Sequence, residues 1–266
     1  MAQEQTETAG RWDKHWRYHN HDSIPDSKIE FAETVLEPIL ESLRNGSTIS
    51  LVDVGCGNGV HLEAIERFLE SHPDAKQRFS GVAIDLSPEA IDATRRRARS
   101  GRWTFDVGDA TSLDLESDSF DVVLSVGIIC LCDAPQRVIS EAIRIAKPGG
   151  RIGIYSNTNA SKMTRIGLGM LRAIGNRLGH PSRQAIAWAT APIVGRLNPG
   201  SGVSIEDGGL ASSREIASAN LASPITTFLD AQDIRDWIHE AGGTIESEMS
   251  EHPFTAWFRA PQVRPA

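Results

Sequence analysis

Apolar and polar positions along the 266-residue chain change rhythm twice. Up to about residue 45, Ile29, Val35, Leu36, Ile39, Leu40 and Leu43 recur near helical spacing and stop at Asn45-Gly46, which predicts a helical N-terminal layer. From Ile49 the spacing shortens. Ile49 to Val54 is a β-branched, mostly apolar run; glycines follow, and then Leu62, Ile65, Phe68 and Leu69 return to helical spacing. This is the pattern of a strand, a tight turn and a helix.

The unit repeats. Gly81 to Asp85 reads as a second strand, and Ser87-Pro88-Glu89 as a helix start with Ser87 as cap and Pro88 in the first turn. A third strand is expected at Trp103 to Val107. A fourth, Phe120 to Val126, is almost wholly apolar after Asp121, as suits a parallel strand covered on both faces. A helix from about Pro135 to Ala146 ends at Lys147-Pro148-Gly149-Gly150, and Arg151 to Tyr155 makes a fifth strand. The rhythm then breaks: an insert holds predicted helices at Lys162 to Leu178 and Ser182 to Val194 and a glycine-rich loop around Asn198 to Gly209. The core pattern resumes with a helix at Ala231 to Ala241 and strands at Thr244 to Met249 and Phe254 to Arg259.

Such alternation predicts an α/β fold, a doubly wound Rossmann-like sheet with its ligand at the carboxyl ends of the strands. The expected organisation is an N-terminal helical segment (1–48), a cofactor-binding core (49–156), a helical cap inserted after strand 5 (157–228) and a C-terminal completion of the core (229–266).

Composition narrows the partners. A net charge of −8 disfavours a protein whose main task is to grip nucleic-acid phosphates, and points to small molecules or proteins. Met1 to Gly10 is polar and acidic, unlike a secretory signal or a membrane span, so the expected location is the cytoplasm. Cys56, Cys130 and Cys132 are too few and too oddly spaced for a disulfide framework or a zinc site, and are read as reduced.

The most informative local motif is Asp53-Val54-Gly55-Cys56-Gly57-Asn58-Gly59 between the first strand and its helix. A glycine turn there lets a ligand approach the backbone and directs helix N-terminal N–H groups toward it. A dinucleotide fingerprint, G-x-G-x-x-G/A, requires a small residue at position 60, where this chain has Val60. A nicotinamide-dependent oxidoreductase is therefore opposed by the register, which reads G-x-G-x-G after an acid.

With these residues the chain resembles the class I S-adenosylmethionine-dependent methyltransferase family, of small-molecule type. Asp85 ends the second strand where the family places an acid for the ribose hydroxyls, and Asp109-Ala110 follows the third where an acidic-small pair lies against the adenine. Phe120-Asp121-Val122-Val123 and Lys147-Pro148-Gly149-Gly150 match its fourth-strand motif and the turn before its fifth strand. The resemblance covers Leu51 to Tyr155 and Leu229 to Arg259. It implies a seven-stranded sheet, parallel with one antiparallel strand, and S-adenosylmethionine as cofactor, with S-adenosylhomocysteine as product. The implied cofactor-binding residues are Asp53, Gly55, Cys56, Gly57, Asn58, Gly59, Asp85, Leu86, Asp109, Ala110, Ser125 and Val126. Asp85 could instead cap the following helix, and Asp109 could serve only as a turn residue.

The acceptor is less legible. The resemblance implies methyl transfer to oxygen, nitrogen or carbon of a small metabolite, such as a natural-product intermediate; a cofactor-binding protein without methyl transfer fits the same loop. Ser125-Val126-Gly127-Ile128 is not the Asn/Asp-Pro-Pro-aromatic motif of nucleic-acid base methylation, and no acid follows Val123 where metal-dependent members place a ligand, so no metal is expected. Small-molecule members often carry a histidine shortly after strand 4, where this chain has Cys130. Candidate catalytic residues are His15, His19, Tyr155 and His180; candidate substrate contacts are Trp12, Trp16, Tyr18 and Ile129. The segment Arg11 to Tyr18 resembles the aromatic N-terminal stretch that closes over cofactor and acceptor, with Trp12 and Trp16 packing on the core as the alternative. From Asn157 to Phe228 seven Lys or Arg face three acids, which suits an anionic or amphiphilic acceptor or a solvated basic face. Arg95-Arg96-Arg97 with Arg99 reads as solvated surface. A monomer or homodimer is expected.

Overall fold

In the computed structural model the described residues are 8–10, 12–13, 47–158, 170, 173, 185–186, 189, 227, 229–251 and 254–263. Seven strands run β1 (Ile49–Val54), β2 (Phe79–Asp85), β3 (Trp103–Val107), β4 (Phe120–Val126), β5 (Ala146–Ser156), β6 (Thr244–Glu251) and β7 (Phe254–Arg259). The helices among the described residues are α1 (Val60–Glu70), α2 (Pro73–Gln77), α3 (Pro88–Arg97), α4 (Pro135–Ile145) and α5 (Ala231–Glu240). One sheet holds all the strands in the order β3-β2-β1-β4-β5-β7-β6. β1 through β5 pair in parallel, while β7 runs antiparallel to both β5 and β6, giving the expected single antiparallel strand.

The central strands are apolar on both faces because both faces are covered. Alternate residues of β1 enter different layers: Val52 and Val54 pack with Ile139 and Ile143 of α4 and Ile234 and Ile238 of α5, whereas Leu51 packs with Leu62, Ile65 and Leu69 of α1. Two glycines make room for aromatic rings on the next strand. A β-carbon on Gly81 would lie 2.3 Å from the Trp103 ring, and one on Gly153 would lie 2.5 Å from the Trp257 ring.

Helix starts follow the local sequence. The Ser87 hydroxyl accepts from the Ala90 N–H ahead of Pro88, and Asp230 and Asp233 form a reciprocal capping box at the start of α5. Three local readings change. Lys147 to Gly150 is not a turn before β5 but part of it: Phe120 pairs with Ala146, the register shifts, and Val122 then pairs with Arg151, with Gly149 at φ +70° inside the irregularity. The five-residue α2 buries only Ala75 and so leaves no periodic signal in the sequence. The arginine run is only partly solvated, since the Arg97 and Arg99 guanidiniums reach the buried Glu63 of α1 at 2.7 and 3.1 Å.

The strand order reverses between β1 and β4, and the crevice beside such a switch point, at the carboxyl ends of the strands, is where ligands bind in open α/β sheets. No helix among the described residues is long and apolar enough to cross a membrane.

Candidate functional site

The Asp53 to Gly59 loop lies at this switch point. Gly55, Gly57 and Gly59 adopt φ of +77°, +56° and +79°, a region that costs other residues strain. Two of the three also answer to packing. A β-carbon on Gly55 would fall 2.2 Å from the Ile128 side chain, and one on Gly59 would fall 2.8 Å from the Thr94 backbone.

Most loop amides are spent on the protein. Gly55 and Cys56 N–H groups donate to the Ile84 carbonyl, Gly59 N–H donates to the Cys56 carbonyl, and Gly57 N–H donates to Asp85 Oδ2 at 2.9 Å. The Cys56 N–H thus fastens the loop to β2. From behind, the buried Thr94 hydroxyl donates to the Gly57 carbonyl at 2.8 Å. Thr94 carries no motif signal, and only the packing of α3 against the loop reveals it.

Asp85 is the electrostatic centre. It is buried, takes the Gly57 N–H on one oxygen and the Ser87 N–H on the other, each at 2.9 Å, and so clamps the loop to the start of α3. Burial pushes its carboxyl up to about 6; the Ser87 and Gly57 N–H groups pull the other way, and the nearby Asp13 charge adds to the rise. Asp13 in turn accepts hydrogen bonds from the Ser87 hydroxyl and the Glu89 N–H, so the N-terminal stretch touches the core beside Asp85. Its neighbour Trp12 is buried.

Around this centre the other predicted residues take distinct places. Asp53 is fully buried under the loop, Asn58 is buried within it, and Leu86 is half-buried beside Asp85. Asp109 Oδ1 accepts from the N–H and hydroxyl of Thr111 at 2.8 and 2.7 Å, so the turn role is realised there; half-buried Ala110 packs against the core. At the end of β4, the Ser125 hydroxyl is buried with no hydrogen-bond partner among the described residues, while Val126 joins the α1-side layer. Gly127 follows at φ +81°, and a β-carbon there would meet no atom of the described residues within 4 Å. A buried hydroxyl and open space at the same strand end fit a ligand lying across the switch point.

Beyond Gly127 the candidates diverge. Ile129 is fully buried in the core. The half-buried Tyr155 hydroxyl faces Asn157 Oδ1 at 3.5 Å, and burial, then Cys130, raises its pKa. Cys130, which stands where the resemblance would lead one to expect a histidine, is buried, and burial pushes its thiol up, which disfavours a role as a base. Burial, then the charges of Asp85 and Asp53, raises the Cys56 thiol well above its ordinary value. His15, His19, His180, Trp16 and Tyr18 lie outside the described residues.

The sheet order and this loop define a Rossmann-like α/β core with a glycine-loop crevice between β1 and β4. Residues 52–154 match the family described as "Methyltransferase domain". The chain is 30% identical over 176 residues to tocopherol O-methyltransferase, chloroplastic, of Arabidopsis thaliana, covering 59% of this chain and 48% of that protein. It is 28% identical over 140 residues to methyltransferase GfsG of Streptomyces halstedii, covering 53% and 49%. The chain spans about half the length of these curated relatives. An O-methyltransferase family protein of Burkholderia thailandensis has the same fold, with TM-score 0.53 and 17% identity over 90% of this chain and 59% of that one. Residues 52–154 are thus similar to a methyltransferase domain, and these curated relatives are named as methyltransferases.

Proposed function

We propose that the protein transfers a methyl group from S-adenosylmethionine to oxygen, nitrogen or carbon of a small organic acceptor, such as a natural-product intermediate. The reading rests on Asp85, a buried acid at the end of β2 that locks a three-glycine loop within the stretch matched to the methyltransferase domain. The relative named for tocopherol supports a small organic acceptor.

When bound, the cofactor supplies an activated methyl group on a sulfonium, so the chain's task is alignment and exclusion of water. Asp85 accepts the ribose hydroxyls. Asp109 and Ala110 flank the adenine, and the Ser125 hydroxyl and Asp53 serve the methionine end. The raised Cys130 and Tyr155 hold their protons at neutral pH, so neither accepts one from the acceptor. Residues 157–228 leave from the carboxyl end of β5, beside the crevice, and are assigned with the N-terminal segment to acceptor selection.

The test is incubation with methyl-labelled S-adenosylmethionine and a cell extract, followed by mass spectrometry. Label in a discrete small metabolite is expected. No labelled metabolite, despite measurable binding of S-adenosylhomocysteine, would leave a cofactor-binding protein without methyl transfer.

A further inference from the structure

The stretch after β4 forms one wall of the site. At one end the Ile128 side chain presses on Gly55, leaving no room for a β-carbon. At the other end, half-buried Cys132 packs against the core, and burial, then the charges of Asp109, Cys130, Asp133 and Asp85, push its thiol up to about 12. Between them runs a single 3-10 turn, Ile129–Leu131, held internally by Leu131 N–H to the Ile128 carbonyl at 2.7 Å and by a long Cys132 N–H to Ile129 carbonyl contact at 3.5 Å. A turn this short does not continue into helix, so its last carbonyls need partners from elsewhere.

Thr227 supplies two of them. Its N–H donates to the Cys130 carbonyl at 2.6 Å and its hydroxyl donates to the Cys132 carbonyl at 3.0 Å. Thr227 is itself held in place, because two residues on Leu229 is buried in the same apolar layer as Ile129 and Cys130 and bridges to Thr158, just beyond β5. The chain therefore returns to the core by hydrogen-bonding the stretch whose Ile128 end presses on the glycine loop.

We propose that Thr227 is a positioning residue for the cofactor site, fixing the Ile128–Cys132 wall against the glycine loop through two successive backbone contacts. The assignment rests on the S-adenosylmethionine reading of the loop. It makes Thr227, 170 positions from Gly57 in the sequence, a determinant of cofactor affinity rather than only of fold stability.

Thr227→Val removes the hydroxyl donor with little change of shape, and Thr227→Ser keeps it. S-adenosylhomocysteine dissociation constants from isothermal titration calorimetry should rise about three- to tenfold in the valine variant, the scale of one lost hydrogen bond, and stay within about twofold of wild type in the serine variant. A melting temperature that falls in Thr227→Val with an unchanged dissociation constant would assign Thr227 to the fold alone and overturn the proposal. Should the valine variant not fold, amide exchange on the wild-type chain decides. Adding S-adenosylhomocysteine should slow the Thr227 and Leu131 amides together with those of Gly55 to Gly59, and slowing confined to the loop would overturn the coupling. A wild-type chain that binds no S-adenosylhomocysteine would remove the cofactor reading itself; normal wild-type binding with an indifferent Thr227→Val removes only the role of Thr227.

Discussion

Asp85 carries the sharpest consequence of the structure, because the carboxylate that locks the loop is also the one proposed to meet the cofactor. Its pKa, pushed up to about 6 chiefly by burial, means that the folded chain holds this proton more tightly than the unfolded chain. The group's contribution to stability is therefore fully present below the ordinary carboxylate range and is lost as pH rises to about 6, with no further change above. Ligand binding has the opposite sense, since ribose hydroxyls donate to the ionised form. At pH 5 only about a tenth of the sites would be ionised, so S-adenosylhomocysteine should bind roughly tenfold more weakly than at pH 7.5, with proton release near pH 6. Calorimetry in buffers of different ionisation enthalpy would measure both, and a dissociation constant flat across that range would show that Asp85 does not meet the ligand. In the loop itself, Gly57→Val should abolish binding, because Gly57 sits at φ +56° with its N–H on Asp85, whereas Cys56→Ala should leave affinity near wild type. The same titration distinguishes the two. The glycines were legible in the sequence because a tight strand-to-helix turn needs positive φ, and Asp85 because its place at the end of the second strand resembles that of the family's acid. Thr94 and Thr227 were not, since a hydroxyl's role here depends on which distant carbonyl the fold brings to it.

Among the elements, the contact between α1 and α3 shows why charge runs mislead when read linearly. Glu63 of α1 is buried and receives Arg67, Arg97 and Arg99, while the adjacent Glu66 accepts the backbone N–H groups of Arg99 and Ser100 at 2.7 and 3.0 Å. Of the run read as solvated surface, Arg95 fits that reading, pairing with the exposed Asp92, and Arg97 does not. Removing Glu63 would take from the nearly buried Arg97 the carboxylate it meets at 2.7 Å. Glu63→Ala should therefore lower stability by about 2–4 kcal/mol, against at most ~0.5 kcal/mol for Arg95→Ala, as urea denaturation would show. Equal effects would mean that the Glu63 cluster is no more than surface pairing. The strands were legible because apolar runs of this length between turn residues have few other uses. The β5 irregularity was not, because Lys-Pro-Gly-Gly reads as a turn, and only its pairing with β4 reveals continuous strand.

At the level of the whole molecule, the half of the chain that forms the sheet carries a fixed order of motifs: Asp53 to Gly59, Asp85 and Ser125 fall at the carboxyl ends of their strands, while Phe120 to Val123 and Lys147 to Gly150 begin β4 and β5 at the opposite end. Acceptor choice has no such order to read. It is proposed to rest with stretches whose residues carry no spacing that chemistry requires, and of which His15 and His180, among others, lie outside the described residues. What the molecule as a whole can be asked is which nucleoside-bearing ligand stabilises it. A ligand that binds only the folded state adds RT ln(1 + [L]/Kd), about 2.7 kcal/mol at a hundredfold excess over Kd. For a chain of this size that corresponds to a rise in melting temperature on the order of 5–10 °C. S-adenosylhomocysteine should produce such a shift, and NAD(H) should produce none, because Val60 occupies the position where a dinucleotide loop needs a small residue and the Gly59 backbone is already closed against Thr94. Stabilisation by NAD(H) alone would reverse the assignment of the crevice and turn Asp85 from an acid serving a methyl donor into one serving a dinucleotide ribose.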